Sequence, residues 1–415
     1  MAGRPGSRKS LILGVLWAVA AVVTIGLMWL IARRFVLSLH YADSDFFSFW
    51  LGGRFVLSGL DPYQSALWTA AHSQYGAVWI PNPTYIYPLP LAMLMAPLGA
   101  LDLLSAYQAW MVLSALMILT ACWVIFGRTR RRADLPILIP WAAGALLFRP
   151  VIVTLRNGQL GGFLLLGLVA GCALAAARKG WLAGAAFGLL SLKPALGIPV
   201  IGLLALWALY RRRWQILGGM LTSAVGLFIM GWLYDPAWVF RMLAPGSPKL
   251  WSNFGFFPTA WGLGTALCSG RGACATWVGG GLSAAGLIAY VAIVLLSPKP
   301  LGVWEAASMA VPVALFASPY VGAYDLLLLL LPIGASLLWL RNRGAPYLLV
   351  ASLPIWIDLA SLALVLVAAR VGLDLWGGLL DLLVLALVWS ALGIPGARGG
   401  ATGPNSRSES PHALR

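Results

Sequence analysis

Runs of apolar residues, each close to the ~20 that let a helix cross ~30 Å of hydrocarbon, alternate along this chain with short clusters of Lys and Arg. Placing every basic cluster on one side of a membrane predicts a consistent path. A first span over 11–36 follows the basic start Arg4, Arg8 and Lys9; its apolar core is too long for a signal peptide and lacks a small-residue cleavage site, so it reads as retained, with the N-terminus inside. Residues 38–100 form the first external loop. Within it 85–100 is apolar but short and broken by Pro88, Pro90 and Pro97. A crossing there would carry Arg128, Arg130, Arg131 and Arg132 to the wrong side, so it reads as a re-entrant or interfacial helix. Spans at 103–126, 135–153 and 160–177 follow, and the short segments 181–192 and 195–210 make a broken hairpin around Lys193-Pro194. The span 214–233 leads to a second long external loop, 234–275. The chain then returns to Lys299, goes out to Pro319, comes back to Arg341 and Arg343, and closes with spans at 346–368 and 374–393. Residues 396–415 carry no apolar periodicity and read as a disordered cytoplasmic tail. The prediction is an all-α, polytopic membrane protein of about twelve spans, with one membrane-embedded domain over 1–395.

Composition supports this reading. The chain is 61% hydrophobic and 10% charged, with a mean hydropathy of +0.88, whereas a soluble domain is roughly 25% charged. Strand-like alternation of lipid-facing and lumen-facing residues is absent, which excludes an outer-membrane barrel. The net charge of +16 lies in clusters between apolar runs, so it marks topology and implies no nucleic-acid partner. No repeat of fixed period and no duplicated half of the transporter kind is visible. Cys122 and Cys172 fall in spans as packing residues. Cys268 and Cys274 fall in the second external loop, where a disulfide and two free thiols are both open readings.

Only 12 acidic residues occur in the chain, and the densest group follows the first span. Asp43-Ser44-Asp45 leads into Gly52-Gly53, then Gly59-Leu60-Asp61-Pro62-Tyr63, and later Tyr85-Ile86-Tyr87-Pro88. A carboxylate at the mouth of the bilayer is partly desolvated, which raises its basicity toward the range of a general base; a solvated loop acid or a helix cap is the plainer alternative. Two cations stand on the same outer side against the positive-inside bias. Arg156, in Arg156-Asn157-Gly158-Gln159, either snorkels to headgroups or serves a ligand. Lys193, at a helix break, points to a protein-lined or water-filled cavity. Together they make a seat for a phosphate. Tyr324-Asp325, after Ser318-Pro319, opens a further span; Asp325 either complements the helix dipole or binds a polar ligand with Tyr324.

These elements, in this order and on alternating outer loops, resemble glycosyltransferase family 87, also catalogued as domain of unknown function 2029. The resemblance implies a GT-C fold with juxtamembrane helices in the first external loop. It further implies inverting transfer of a hexose, mannose above all, from a polyprenyl-phosphate donor to a glycan or lipid acceptor. The active site would open to the periplasmic side of a bacterial inner membrane. The family's catalytic base corresponds to Asp45, with Asp43 the nearest substitute. Asp61, Tyr63, Tyr87, Arg156, Gln159, Lys193, Tyr324 and Asp325 are the substrate-binding candidates. The family's frequent His near the Ser-Pro motif has no counterpart here. A monophosphate donor leaves already ionised, so neither a metal nor a cofactor is required, and Asp43-x-Asp45 is a weak metal motif. The rival reading is a transporter or flippase for a lipid-linked or anionic substrate, which would want polar residues at midplane depth; a non-catalytic envelope scaffold is a third.

Overall fold

The computed structural model describes residues 41–78, 82–127, 138–244, 257–269, 272–297, 299–371 and 376–392. The expected first span, the arginines of 128–132 and the tail 396–415 lie outside the described residues. Every element within them is helical. In chain order these are α1 (Asp45–Leu57), α2 (Ser65–Gln74), α3 (Leu89–Gly99), α4 (Leu103–Phe126), α5 (Leu138–Leu147), α6 (Arg149–Asn157), α7 (Gly161–Ala176), α8 (Gly180–Gly188) and α9 (Pro194–Tyr210). There follow α10 (Trp214–Tyr234), α11 (Trp238–Leu243), α12 (Ala260–Leu267), α13 (Gly272–Leu296), α14 (Val303–Ala317), α15 (Leu330–Asn342), α16 (Tyr347–Val371) and α17 (Trp376–Leu392). A 3-10 stretch, Asp325–Leu329, runs directly into α15.

Among the described residues, four stretches are long and apolar enough to cross a membrane: α4, α10, α13 and the run Asp325–Asn342. Shorter apolar helices accompany them. Large apolar side chains on α4 and α10, such as Val112, Trp123, Leu221 and Leu233, are exposed, as befits surfaces facing lipid. Helix α14 is the opposite: all of it but Glu305 is buried. It packs on α9, α13, α15 and α17 and forms the centre of the bundle. The chain is a membrane protein. Between lipid-bathed helices burial of apolar surface gives little driving force, so close contact relies on small residues. An added Cβ on Gly184 of α8 would lie 2.0 Å from the Ile216 oxygen of α10, and one on Gly219 would lie 2.1 Å from the Trp181 oxygen.

Two expected helices are broken. The predicted single span 135–153 divides at Phe148 into α5 and α6, because Pro150 in the first turn of α6 has no N–H to continue the preceding helix. The expected break at Lys193-Pro194 is present. Helix α8 tightens into the 3-10 turns Leu189–Leu192, Lys193 takes an extended conformation as the residue before proline, and α9 begins at Pro194.

These breaks leave the polar loops at one end of the bundle. The apolar segment 85–100 gives α3, only about 16 Å long, which packs closely on α1. A Cβ on Gly53 would meet the Met95 oxygen at 2.5 Å, and the Trp50 indole donates to the Leu101 oxygen at 3.0 Å. The end of α10 and helix α11 dock on α1 and the turn after it: Arg241 pairs with Asp61 at 2.7 Å, and the Tyr234 hydroxyl donates to the Val56 oxygen at 3.1 Å. Cys268 and Cys274 form a disulfide, which settles the two readings left open above. At the opposite end the Tyr210 hydroxyl donates to the Leu295 oxygen at 3.2 Å and the Trp207 indole to the Leu301 oxygen at 3.0 Å, gathering the basic turns 211–213 and 299–301.

Candidate active site

Five separate segments bring polar groups to one point. Asp45 is the first residue of α1, after Ser44, whose hydroxyl donates to the Tyr41 oxygen at 2.7 Å. Its position depends on the α6–α7 turn. There Gln159 N–H returns to the Thr154 oxygen at 2.9 Å and Gly158 N–H to the Leu155 oxygen at 3.2 Å, a helix C-terminal turn that places Gly158 at φ +64°. A side chain at 158 would also collide with Phe46, whose Cβ would stand 2.4 Å from it. Glycine therefore satisfies both a left-handed backbone and the approach of α1, and Asn157 and Gln159 end up beside Asp45. The Trp110 indole fixes the turn from the other side, donating to the Gly158 oxygen at 2.7 Å, and Tyr107 donates to the Arg156 oxygen.

Lys193, 4% exposed, reaches into the same place from the α8–α9 break. Its ammonium donates to Asp325 Oδ1 at 2.6 Å and to Gln159 Oε1 at 3.1 Å, and stands 4.4 Å from the centre of the Tyr324 ring. The other oxygen of Asp325 accepts from the Gly322 N–H at 3.0 Å. Thr154 donates to the Tyr324 oxygen at 2.9 Å, and Ser318 to the Ala195 oxygen at 2.7 Å, so the segment 318–324 is tied at one end to α9 and at the other to α6. The Gln159 amide nitrogen is buried with no hydrogen bond of normal geometry and faces the Asp45 carboxylate and Tyr87.

The electrostatics follow from this packing. Burial pushes the Asp45 carboxyl above its ordinary value; Gln159, Lys193 and Asn157 pull it down, while the Asp325 charge adds to the rise. The group is nevertheless half-buried rather than sealed, and so are Tyr87, Asn157, Tyr320 and Tyr324 around it. A basic carboxylate thus lies deep in protein yet open to a small space walled by aromatic rings and amides. That arrangement can take a proton from a hydroxyl brought to it.

Of the residues singled out from sequence, Asp45, Tyr87, Gln159, Lys193, Tyr324 and Asp325 come together. Asp43, Asp61, Tyr63 and Arg156 stand apart from the carboxylate. Asp43 accepts from the Val78 N–H at 2.9 Å, so the two acids of Asp43-x-Asp45 serve different partners. Asp61 caps the turn at Tyr63 N at 2.9 Å and pairs with Arg241. Tyr63 donates to the Tyr87 oxygen at 2.7 Å and so props a site residue. Arg156 is exposed on α6, one residue from Asn157. The two expected cations are therefore unlike: Lys193 is buried and neutralised by Asp325, and Arg156 sits at the rim. Asn157 and Tyr320 were not among the sequence candidates. Their signal was their place in motifs already quoted, beside Gly158-Gln159 and Ser318-Pro319.

The sequence profile of glycosyltransferase family 87 matches residues 85–319, more than half of the chain. None of the curated proteins and no solved structure matches it. The matched stretch contains Tyr87, Asn157, Gln159 and Lys193, while Asp45 and Asp325 lie on either side of it and join these residues in space.

Proposed function

The chain belongs to glycosyltransferase family 87, and from that premise we propose that this membrane glycosyltransferase moves a hexose, mannose in our reading, from a polyprenyl-phosphate donor to a hydroxyl of a glycan or lipid acceptor. The observation that carries the proposal is the half-buried, basic carboxylate of Asp45, supported by Asn157 and Gln159. The acceptor hydroxyl gives its proton to Asp45 as its oxygen bonds to the anomeric carbon. The bond from that carbon to the phosphate oxygen breaks on the opposite face, and polyprenyl phosphate leaves with the electron pair. Attack opposite the leaving group inverts the centre. A base of this kind contributes about 10²- to 10⁴-fold.

Arg156 at the rim is the cation we assign to the departing phosphate, whose charge needs an answer more than it needs a proton. Lys193 holds Gln159 by its oxygen, turning the amide N–H₂ toward Asp45. Asp325 in turn balances Lys193. Tyr87 and Tyr324 offer ring faces and hydroxyls to a sugar. Neither a metal nor a cofactor enters this scheme. In a bacterial inner membrane the site faces the periplasm, by the positive-inside bias of the arginine turns at the other end. A transporter would place its polar groups within reach of both sides; here they gather at one end. Transfer of labelled sugar from polyprenyl-phosphate-mannose, compared between wild type and Asp45→Asn, tests the proposal.

A further inference from the structure

At the end of the bundle opposite Asp45, a cavity of about 640 Å³ opens between α7, α9, α10 and α14. Arg178, Arg211, Arg212 and Arg213 line it. Arginines at helix C-termini complement the dipole and obey the positive-inside bias, and neither rule requires what the backbone does here. The turns after α7 and α9 close identically: Lys179 N–H bonds to the Leu174 oxygen and Arg178 N–H to the Ala175 oxygen, as Arg213 does to Ala208 and Arg212 to Leu209. This motif puts its penultimate residue in the left-handed region, where glycine is at ease and a side chain is strained. The same closure after α15 uses Gly344, at φ +87°, and the one before Gln159 uses Gly158. At the cavity the two positions hold Arg178 at φ +61° and Arg212 at φ +52°.

None of the four arginines is in an ion pair among the described residues. Glu305, the acid on the cavity wall, is folded back over Gly302 at the start of α14. The first turns of α8, α10 and α14 line the same space and add the positive ends of their dipoles. Around this level Trp181, Leu182, Leu209 and Trp214 expose apolar surface, which sets the opening at interface depth beside acyl chains.

We propose that this arginine cavity binds a phosphate group, and that the group is the headgroup of an anionic membrane lipid. The site is separate from the transfer site and its reading does not depend on the transfer chemistry. The test uses the full-length protein in neutral detergent and follows its thermal unfolding midpoint with added phosphatidylglycerol, phosphatidylcholine or inorganic phosphate. Wild type should gain stability with phosphatidylglycerol and not with phosphatidylcholine. Arg178→Gly/Arg212→Gly relaxes both strained turns while removing two charges. It should therefore unfold no lower than wild type without lipid, lose the response, and bind phosphatidylglycerol about 25-fold more weakly, at about fivefold per cation. Arg211→Gln/Arg213→Gln leaves both left-handed positions untouched and should lose the same response. A response to inorganic phosphate alone that the variants lose would uphold the phosphate site and assign it to a soluble anion. An equal response to phosphatidylcholine, or an undiminished phosphatidylglycerol response in both variants, would overturn the proposal.

Discussion

Lys193 and Arg212 stand at opposite ends of one helix, α9, about 25 Å apart, and their surroundings differ sharply. Lys193 is buried, paired with Asp325 and hydrogen-bonded to Gln159. Arg212 is exposed on a left-handed turn, in no ion pair among the described residues, beside an open cavity. A charge taken out of water must be answered by partners, or its burial costs several kcal/mol. At the Lys193 end that requirement fixes geometry: the ammonium aligns Gln159, and Gln159 faces Asp45. At the Arg212 end no ion pair among the described residues fixes the charge, and it lies open to the cavity. A charge the fold satisfies positions other residues, whereas a charge it leaves unsatisfied is addressed to the surroundings.

Breaking the buried pair should show this contrast most strongly. Asp325→Ala leaves the Lys193 ammonium buried without its counter-ion, a loss of about 3–5 kcal/mol, and should lower the yield of monodisperse protein and its unfolding midpoint in detergent. An equal effect from removing Arg212 would erase the distinction between the ends. Gly158→Ala should come next. It meets both the strain of φ +64° and the Phe46 side chain, an expected cost of about 1–3 kcal/mol, and it should cut turnover by moving Asn157 and Gln159 away from Asp45. The Asp61–Arg241 pair belongs to the site end but is partly exposed. Asp61→Asn should therefore cost no more than about 1 kcal/mol and leave turnover close to wild type; a large loss of turnover would make Asp61 a substrate contact.

The pH dependence gives a smaller but signed effect. Burial raises the Asp45 pKa in the folded protein, so the folded state holds this proton more tightly than the unfolded one. Its contribution to stability is then fully present below the ordinary carboxylate range and is lost as pH rises through the raised value. Asp45→Asn, neutral at every pH, should unfold at or above the wild-type midpoint at neutral pH, and the excess should shrink on acidification. Turnover runs the other way, with an acid limb set by Asp45 above the ordinary carboxylate range.

Much of the helical path was legible because it rests on local rules: apolar length, proline at breaks, and arginine at one set of ends. The short helix α3, with prolines at its start and near its end, and the Lys193-Pro194 break follow from such rules. The division of the span 135–153 does as well, since Pro150 was in plain view, but its apolar flanks mask the missing N–H. The site was legible only as a set of motifs. That Lys193 meets Asp325, 132 residues away, depends on how α9 and α14 pack, and no local pattern encodes it. The same packing separates Arg156 from Lys193, which sequence places side by side. Gly52-Gly53, part of the family pattern, proves to be a contact between helices: Gly53 admits α3, and Gly52 admits the Tyr85 ring.

The central claim is that Asp45 is the base of a lipid-donor glycosyltransferase. It is tested most directly by transfer of radiolabelled mannose from polyprenyl-phosphate-mannose into a membrane lipid extract, with purified wild type and Asp45→Asn matched for folded protein by their unfolding midpoints. The account predicts label in the acceptor fraction with wild type and a loss of at least about 10²-fold with the variant. Equal labelling by a folded Asp45→Asn protein would contradict it and move the search for the base to another group.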